Sequence, residues 1–154
     1  RNIAKKWVGA FDAKILALDP NAPPDRWADI PHQRCASLHE LLPQVDLLSL
    51  HIPMRESNRH IIGAKEIALM KRNAILINVS RGGLIHEAAL FESLKKGHLF
   101  GAGLDVFENE PTPEIRILMH PKISLTPHIG AATLEAQDRI GTELAEQVIT
   151  LMKK

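Results

Sequence analysis

The sequence predicts an α/β fold built on a doubly wound parallel sheet. Short apolar runs alternate with helical patterns along the chain, and within each run the apolar residues are nearly continuous rather than alternating. Strands of this kind are expected to be covered on both faces, as in parallel sheets. The predicted strands are 14–19, 45–52, 74–79, 101–107 and 123–126.

Helices are predicted between these strands. Glu87 opens the clearest segment, Lys95 and Lys96 lie in its last turn, and Gly97 follows it. The proline-rich stretch 19–31 predicts a loop. The predicted helices are 1–8 (ending near Gly9), 38–42, 64–71, 87–96 and 133–152. The last has Thr133 as a polar cap and an apolar stripe that we expect to pack on the sheet: Ala136, Ile140, Leu144, Val148 and Leu151.

Length and composition indicate one globular domain. The chain has 154 residues, of which 45% are apolar and 24% charged, and its formal net charge is +1. This charge predicts no strong attraction to nucleic acid or to anionic membranes. Cys35 is the single cysteine, which favours a reducing cytoplasm, and no apolar run approaches the ~20 residues of a membrane span. The histidines form no metal-binding pattern, so we expect no metal.

The sequence lacks one feature of a dinucleotide-binding (Rossmann-like) sheet, the opening strand with its G-x-G-x-x-G turn. Asp19 ends the next strand, about twenty residues beyond the expected turn, where a carboxylate accepts hydrogen bonds from ribose hydroxyls and favours NAD over NADP. Asp19 can also be explained as a turn-former before Pro20. The absent strand would be central in the order 3-2-1-4-5-6. We therefore expect residues 1–154 to be a partial dinucleotide-binding domain, truncated at its N-terminus.

Polar side chains follow three of the predicted strands, where open α/β sheets bind ligands. Arg81 precedes Gly82 and Gly83, Glu110 follows DVFEN, and His128 follows SLTP. Singly they can be explained as a surface arginine, a solvated carboxylate and a loop histidine. Together they suit hydride transfer to or from a 2-oxo acid: imidazole exchanges protons, carboxylate orients it, and guanidinium holds the substrate carboxylate.

The segments ILINVSRGGLIHEAAL, GAGLDVFENEP and LTPHIGAATLEAQ resemble the signature blocks of the D-isomer-specific 2-hydroxyacid dehydrogenases. The block HIGAATLEAQ is most similar to D-3-phosphoglycerate dehydrogenases. The resemblance covers essentially the whole chain and implies that Arg81, Glu110 and His128 are catalytic. It also implies NAD as cofactor, a small 2-hydroxy or 2-oxo acid as substrate, such as 3-phosphoglycerate of serine biosynthesis, and a homodimer. No segment corresponds to the family's substrate domain, so we expect the chain by itself to be inactive.

The resemblance further implies a set of cofactor-binding residues around one cleft, which includes Arg81 and His128. Asp105 would contact the nicotinamide amide, although a strand-end carboxylate can also cap a neighbouring loop. His51 is expected to form a wall of the pocket rather than to act as acid or base. His86 departs from similar sequences, which commonly carry an acidic residue there, and suggests a packing or capping role. The remaining cofactor-binding residues implied are Ile52, Pro53, Val79, Ser80, Gly130 and Ala131.

Two classes of function stay open. The first is an NAD-dependent oxidoreductase that acts on a small D-2-hydroxy acid. The second is an NAD(H)-sensing binding protein, since similar sequences include corepressors that keep the dehydrogenase fold and work by NAD(H)-linked dimerisation. The complete Arg–Glu–His set favours the enzyme.

Overall fold

Strands and helices alternate along the chain in the computed structural model, which describes residues 1–23, 25 and 27–153. Short 3-10 helices at Leu42–Gln44 and Glu56–Asn58 supplement them. The elements in chain order are α1 (Asn2–Phe11), β1 (Leu16–Ala17), β2 (Gln33–Arg34), α2 (Leu38–Leu41), β3 (Leu47–Leu50), α3 (Ala64–Leu69), β4 (Ile75–Asn78), α4 (Glu87–Lys95), β5 (Gly101–Leu104), α5 (Ile115–Leu118), β6 (Ile123–Leu125) and α6 (Leu134–Met152).

The strands form two parallel sheets, which confirms the predicted α/β class. β1 pairs with β2, and β3 to β6 form a four-stranded sheet in sequence order. Among the described residues, no hydrogen bond joins β1 to β3, so each of these strands has an unpaired edge. A complete dinucleotide-binding sheet has the strand order 3-2-1-4-5-6. Its strand 1, the strand that precedes the glycine-rich turn, would lie between the strands labelled β1 and β3 here.

Some element bounds differ from the prediction. β2 was not predicted because its residues are polar and exposed and carry no apolar run. α1 continues through Gly9 and ends only where Asp12 takes a left-handed conformation, with φ 50°. Gly97, with φ 67°, follows α4 as predicted. The predicted loop 19–31 contains no helix or strand in its described part, and Pro24 lies outside the described residues.

The hydrophobic core lies on one face of the four-stranded sheet. The helices α3, α4 and α5, which connect these strands, pack on this side, where alternate residues of β3 and β4 are buried. Residues at the centre of this core have no contact with solvent, for example Leu76 of β4 and Leu90 of α4. The sheet residues of this face are Leu48, Leu50, Leu76, Asn78, Ala102 and Leu104. The helices contribute Ile67, Leu90, Leu94 and Ile117.

The opposite face of the sheet is only partly covered. Leu47, Ile75 and Ile77 are half-buried there, so in the described part of the chain the strands are fully covered on one face and only partly covered on the other. Burial alternates along β3 and β4 with the period of two that a sheet imposes. Across the register, Ile77 is flanked by Ser49 and Gly103 on the neighbouring strands.

α6 does not pack on the sheet as predicted. Its cap is correct, because the Thr133 hydroxyl oxygen accepts a hydrogen bond from the Ala136 N–H at 3.2 Å. Only Ala136 is buried within the helix, whereas Leu144 is 60% exposed and Leu151 is 71% exposed. None of the described helices is long and apolar enough to cross a membrane.

Candidate active site

Three neighbouring strands end side by side at the edge that carries the predicted catalytic residues. Asn78, Leu104 and Leu125 are paired across β4, β5 and β6. The strands are parallel and about 4.8 Å apart, so the loops that follow them leave from a common edge. Arg81, Glu110 and His128 lie on these three loops. The three segments therefore leave the sheet at the same edge.

Glu110 and His128 are in direct contact. His128 Nδ1 lies 2.7 Å from Glu110 Oε2, and the Phe107 N–H donates to Glu110 Oε1 at 2.9 Å. The hydrogen bond from His128, then that from Phe107, lowers the pKa of Glu110 below its ordinary value. Because an ionised carboxylate only accepts, His128 Nδ1 donates, which leaves its Nε2 as the nitrogen available to a substrate.

Asn78 shapes the turn that presents Arg81. Its side-chain amide donates to the Arg81 carbonyl at 2.9 Å, and its Oδ1 accepts from the N–H and hydroxyl of Ser80. Asn78 is buried at the end of an apolar strand, and each of these bonds satisfies a polar group there. Arg81 itself is exposed, and its guanidinium donates to the Ser80 carbonyl. Sequence reasoning missed Asn78, although a lone amide after AILI was a visible signal.

Gly82 brings the Arg81 loop against the loop that carries Glu110. A Cβ at position 82 would lie 1.8 Å from the carbonyl oxygen of Phe107, so only glycine fits. The structure shows a close approach of two loops at Gly82, and the left-handed φ of 79° lies at Gly83.

Asp105 holds the loop that carries His128. It is 3% exposed, and its carboxylate accepts from the Thr126 hydroxyl at 2.5 Å and from the N–H groups of Ile129 and Gly130, each at 2.9 Å. Burial alone would raise the pKa of Asp105, but these hydrogen bonds outweigh burial and lower it. The geometry matches a carboxylate that caps a neighbouring loop, and a contact with nicotinamide stays a prediction. His128 sits within this loop at a φ of 55°.

A cleft of about 350 Å³ lies beside Arg81. The predicted residues after β3 and β4 form it together, and Ile52, Pro53 and Val79 give the cleft an apolar part beside its polar residues. Desolvation lowers the pKa of His51, and its Nε2 pairs with the Ser49 hydroxyl at 2.9 Å, which fits the predicted wall rather than an acid or base. The lining residues are His51, Ile52, Pro53, Val79, Ser80 and Arg81.

Two other predicted cofactor residues lie apart from this cleft lining. Asp19 follows β1 in the separate two-stranded sheet, and its Oδ1 accepts the Asn21 N–H at 3.1 Å, as a turn-former does. Ala131 is exposed in the His128 loop. For both residues, as for Gly130, binding of the cofactor stays a prediction.

His86 occupies the N-cap position of α4, but its side chain makes no capping hydrogen bond. Its ring packs on His60 instead, with 4.6 Å between the ring centroids. Of the two roles suggested by the sequence, the structure supports packing.

Comparison with known proteins identifies the family. The family model for the D-isomer specific 2-hydroxyacid dehydrogenase, NAD binding domain, matches residues 1–130. The chain belongs to this family. It is 42% identical over 148 residues to D-3-phosphoglycerate dehydrogenase of Methanocaldococcus jannaschii, covering 96% of the chain and 28% of the relative. It is 46% identical over 151 residues to hydroxypyruvate reductase of Thermotoga maritima, covering 96% and 48%.

Solved structures of the family share this fold. The crystal structure of a glyoxylate reductase from Paecilomyes thermophila superposes with a TM-score of 0.87 at 37% identity, over 97% of this chain and 45% of that one. The family's cofactor is NAD, and the cleft beside Arg81 agrees with such a ligand. The chain spans between about a quarter and a half of the length of these relatives.

Proposed function

We propose that the protein containing this chain is an NAD-dependent dehydrogenase of a small D-2-hydroxy acid. The observation that carries the proposal is the 2.7 Å contact between His128, on the loop after β6, and Glu110, on the loop after β5, which lies next to the strand that leads to Arg81. A histidine paired with a carboxylate, with an exposed guanidinium on the neighbouring loop, can supply an acid/base and a carboxylate clamp at one sheet edge. Membership of the dehydrogenase family supports the same chemistry.

In the mechanism that follows, NAD supplies or accepts the hydride when bound. His128 Nε2 takes the proton of the substrate hydroxyl during oxidation and returns it during reduction. Glu110 keeps the imidazole oriented through its hydrogen bond with His128 Nδ1. Arg81 releases the Ser80 carbonyl, pairs with the substrate carboxylate and polarises the adjacent carbonyl.

The preferred substrate in this proposal is 3-phosphoglycerate, which would place the protein in serine biosynthesis. The 42% identity to the Methanocaldococcus jannaschii enzyme, named for that activity, supports it. Hydroxypyruvate is a second candidate, because the Thermotoga maritima relative with that name is 46% identical. Asp19 favours NAD over NADP in either case, because its carboxylate would repel a 2′-phosphate.

We further propose that residues 1–154 are part of a dinucleotide-binding domain in a longer, cytoplasmic and homodimeric protein. A preceding strand with the glycine-rich turn would pair with the unpaired edges of β1 and β3. The substrate domain would supply the wall opposite Arg81, so the chain alone should not turn over. Sequencing the gene upstream of Arg1 and measuring the mass of the full protein in solution test these statements.

The direct test is oxidation of NADH by the full-length protein with a panel of 2-oxo acids, including 3-phosphohydroxypyruvate, hydroxypyruvate and glyoxylate. We expect His128→Asn to abolish turnover, with a loss on the order of 10²–10⁴-fold, and to leave NADH affinity nearly unchanged. Full activity in this variant would remove His128 from the mechanism. If the unmodified protein oxidises NADH with none of the oxo acids, the proposal fails and the sensor class is favoured.

A further inference from the structure

Glu87 and Glu108 are joined by reciprocal hydrogen bonds outside the catalytic set. The Glu87 N–H donates to Glu108 Oε1 at 2.6 Å, and the Glu108 N–H donates to Glu87 Oε1, also at 2.6 Å. Glu87 is 6% exposed, and burial raises its pKa. Each carboxylate thus satisfies a backbone donor of the other segment, one at the first residue of α4 and one in the loop after β5.

The segment that leads into Glu87 is also the segment that presents Arg81. Residues 83–86 run beside residues 60–62, and three backbone hydrogen bonds of 2.7–3.1 Å join them. His60 lies in this pairing, and its Nε2 is 3.3 Å from Glu108 Oε2 without making a hydrogen bond. The C-terminal end of the Arg81 loop is therefore held by residues 60–62, and His60 of this segment also lies beside Glu108.

The segment that carries Glu108 is in turn the segment that carries Glu110. The Phe107 N–H orients Glu110, while the Phe107 carbonyl lies against Gly82. Phe107 and Glu108 therefore join the two catalytic loops through one steric contact and two hydrogen bonds. Loss of the hydrogen bonds would leave the contact at Gly82, and the bond from the Asp105 N–H to the Asn78 carbonyl at the strand ends, to hold the two loops in register.

We infer that Glu87 and Glu108 are positioning residues that lock the loop carrying Arg81 to the loop carrying Glu110. This inference rests on the proposed function for its catalytic consequence. Neither carboxylate is needed for contact with substrate, because each oxygen that bonds is directed at the other segment's backbone. Their effect on the reaction is to keep the carboxylate clamp and the His128–Glu110 pair at a fixed separation.

The test compares variants of the full-length protein. Glu108→Ala removes the acceptor, whereas Glu108→Gln keeps an oxygen that accepts the Glu87 N–H. We expect Glu108→Ala to lower kcat/KM for the 2-oxo acid on the order of 10²-fold, since small displacements of catalytic groups cost about this much. KM for NADH should not change, and Glu108→Gln should restore most of the activity.

Glu92→Ala is the matched control, because Glu92 is exposed on α4 and makes no hydrogen bond or ion pair through its side chain among the described residues. If Glu108→Ala retains the kinetics of Glu92→Ala, the inference is overturned. If Glu108→Ala does not fold, Glu108→Asp replaces it: the charge is kept, but the side chain is one methylene too short to reach α4. The same loss is then expected, and wild-type kinetics would again overturn the inference.

A second measurement separates this inference from the proposed function. The carboxyl carbon of Glu110 can be titrated by NMR in the full-length protein, with no need for activity. Glu110 should titrate below its ordinary pKa in the wild type and in Glu92→Ala, and closer to that value in Glu108→Ala. This shift in a protein without dehydrogenase activity would reject the proposed function and retain the positioning. An unchanged Glu110 titration in Glu108→Ala would reject the positioning in either case.

Discussion

The two faces of the four-stranded sheet differ in burial more than in the hydrophobicity of their strands. On one face Leu76 has no exposed surface and packs among α3, α4 and α5. On the other, Ile75 and Ile77 are half-buried and lie outside the core cluster. The same strand, ILIN, thus supplies both a closed core and an open apolar surface. An apolar run predicts a strand, but the number of covering layers depends on other parts of the molecule.

α4 and α6 repeat this contrast among the helices. α4 buries Leu90 and Leu94 completely or nearly so, whereas Leu144 of α6 is 60% exposed. Both helices have polar ends and an apolar stripe, so periodicity alone does not distinguish them. The two helices differ in the surface beside them. α4 connects β4 to β5 and packs on the sheet between them, whereas α6 follows the last strand and its apolar stripe packs on no part of the sheet among the described residues.

The largest effect is expected on the closed face. Leu76→Ala should lower the free energy of unfolding by about 2–5 kcal/mol, because it removes buried methyl groups and leaves a cavity. Urea denaturation of wild type and variant measures the difference. A loss below about 0.5 kcal/mol would mean that the closed face is not a packed core.

Asp105 tests the contact between the sheet and the loop that carries His128, on the partly covered face. Asp105 directly follows the core-facing Leu104 at the end of β5, so its side chain lies on the opposite side of the chain. Asp105→Asn should cost about 1–3 kcal/mol at pH 7 by weakening the bonds to Thr126, Ile129 and Gly130. The folded pKa lies below the ordinary value of 3.8, so this stability is complete above pH 3.8 and is lost as pH falls through the folded pKa. Unfolding free energies between pH 7 and pH 2 should therefore converge for the two proteins, and a constant difference would contradict this role.

Ile77 sharpens the comparison between the faces. In the 154-residue chain, Ile77→Ala should cost about 1–2 kcal/mol, less than Leu76→Ala, because the Ile77 side chain is only partly buried. In the full-length protein the cost should rise toward that of Leu76→Ala if another part of the protein covers this face. Equal, small costs in both proteins would show that the face stays open.

The smallest effect is expected on α6. Leu144→Ala in the 154-residue chain should change the unfolding free energy by less than about 0.5 kcal/mol, as for other exposed positions. The same urea titration measures it, with Leu90→Ala as the buried counterpart on α4. A cost near 2 kcal/mol would show that α6 has a partner in solution.

Much of the fold could be predicted from the sequence because its signals are local. The predicted strands and helices, the Thr133 cap and the Gly97 stop depend on a few neighbouring residues, and each is present in the structure, whereas the short helix α5 was not predicted. β2 was missed because two polar residues form a strand only when β1 lies beside them. The prediction that α6 packs on the sheet was wrong, because an apolar stripe specifies which side of a helix is apolar and not which surface that side contacts.

The candidate site divides in the same way. Arg81, Glu110 and His128 were predicted from strand ends and from motif blocks, and the fold brings their loops to one edge. The groups that hold these loops were not predicted. Glu87 and Glu108 bond across 21 residues of sequence, and a spacing of that length carries no local pattern. Such partners become visible only once α4 and the loop after β5 are adjacent.

The division of the strands between two sheets determines which parts of the molecule open locally. β1 and β2 contain two residues each, while the four-stranded sheet is tied to three helices through a shared core. Amide protons around β1 and β2 should therefore exchange with solvent through small, frequent openings, and those of β4 and β5 only when the whole core separates. The loops that carry Arg81, Glu110 and His128 begin at the strands of the slowly opening part, whereas Asp19 lies in the part that loosens first.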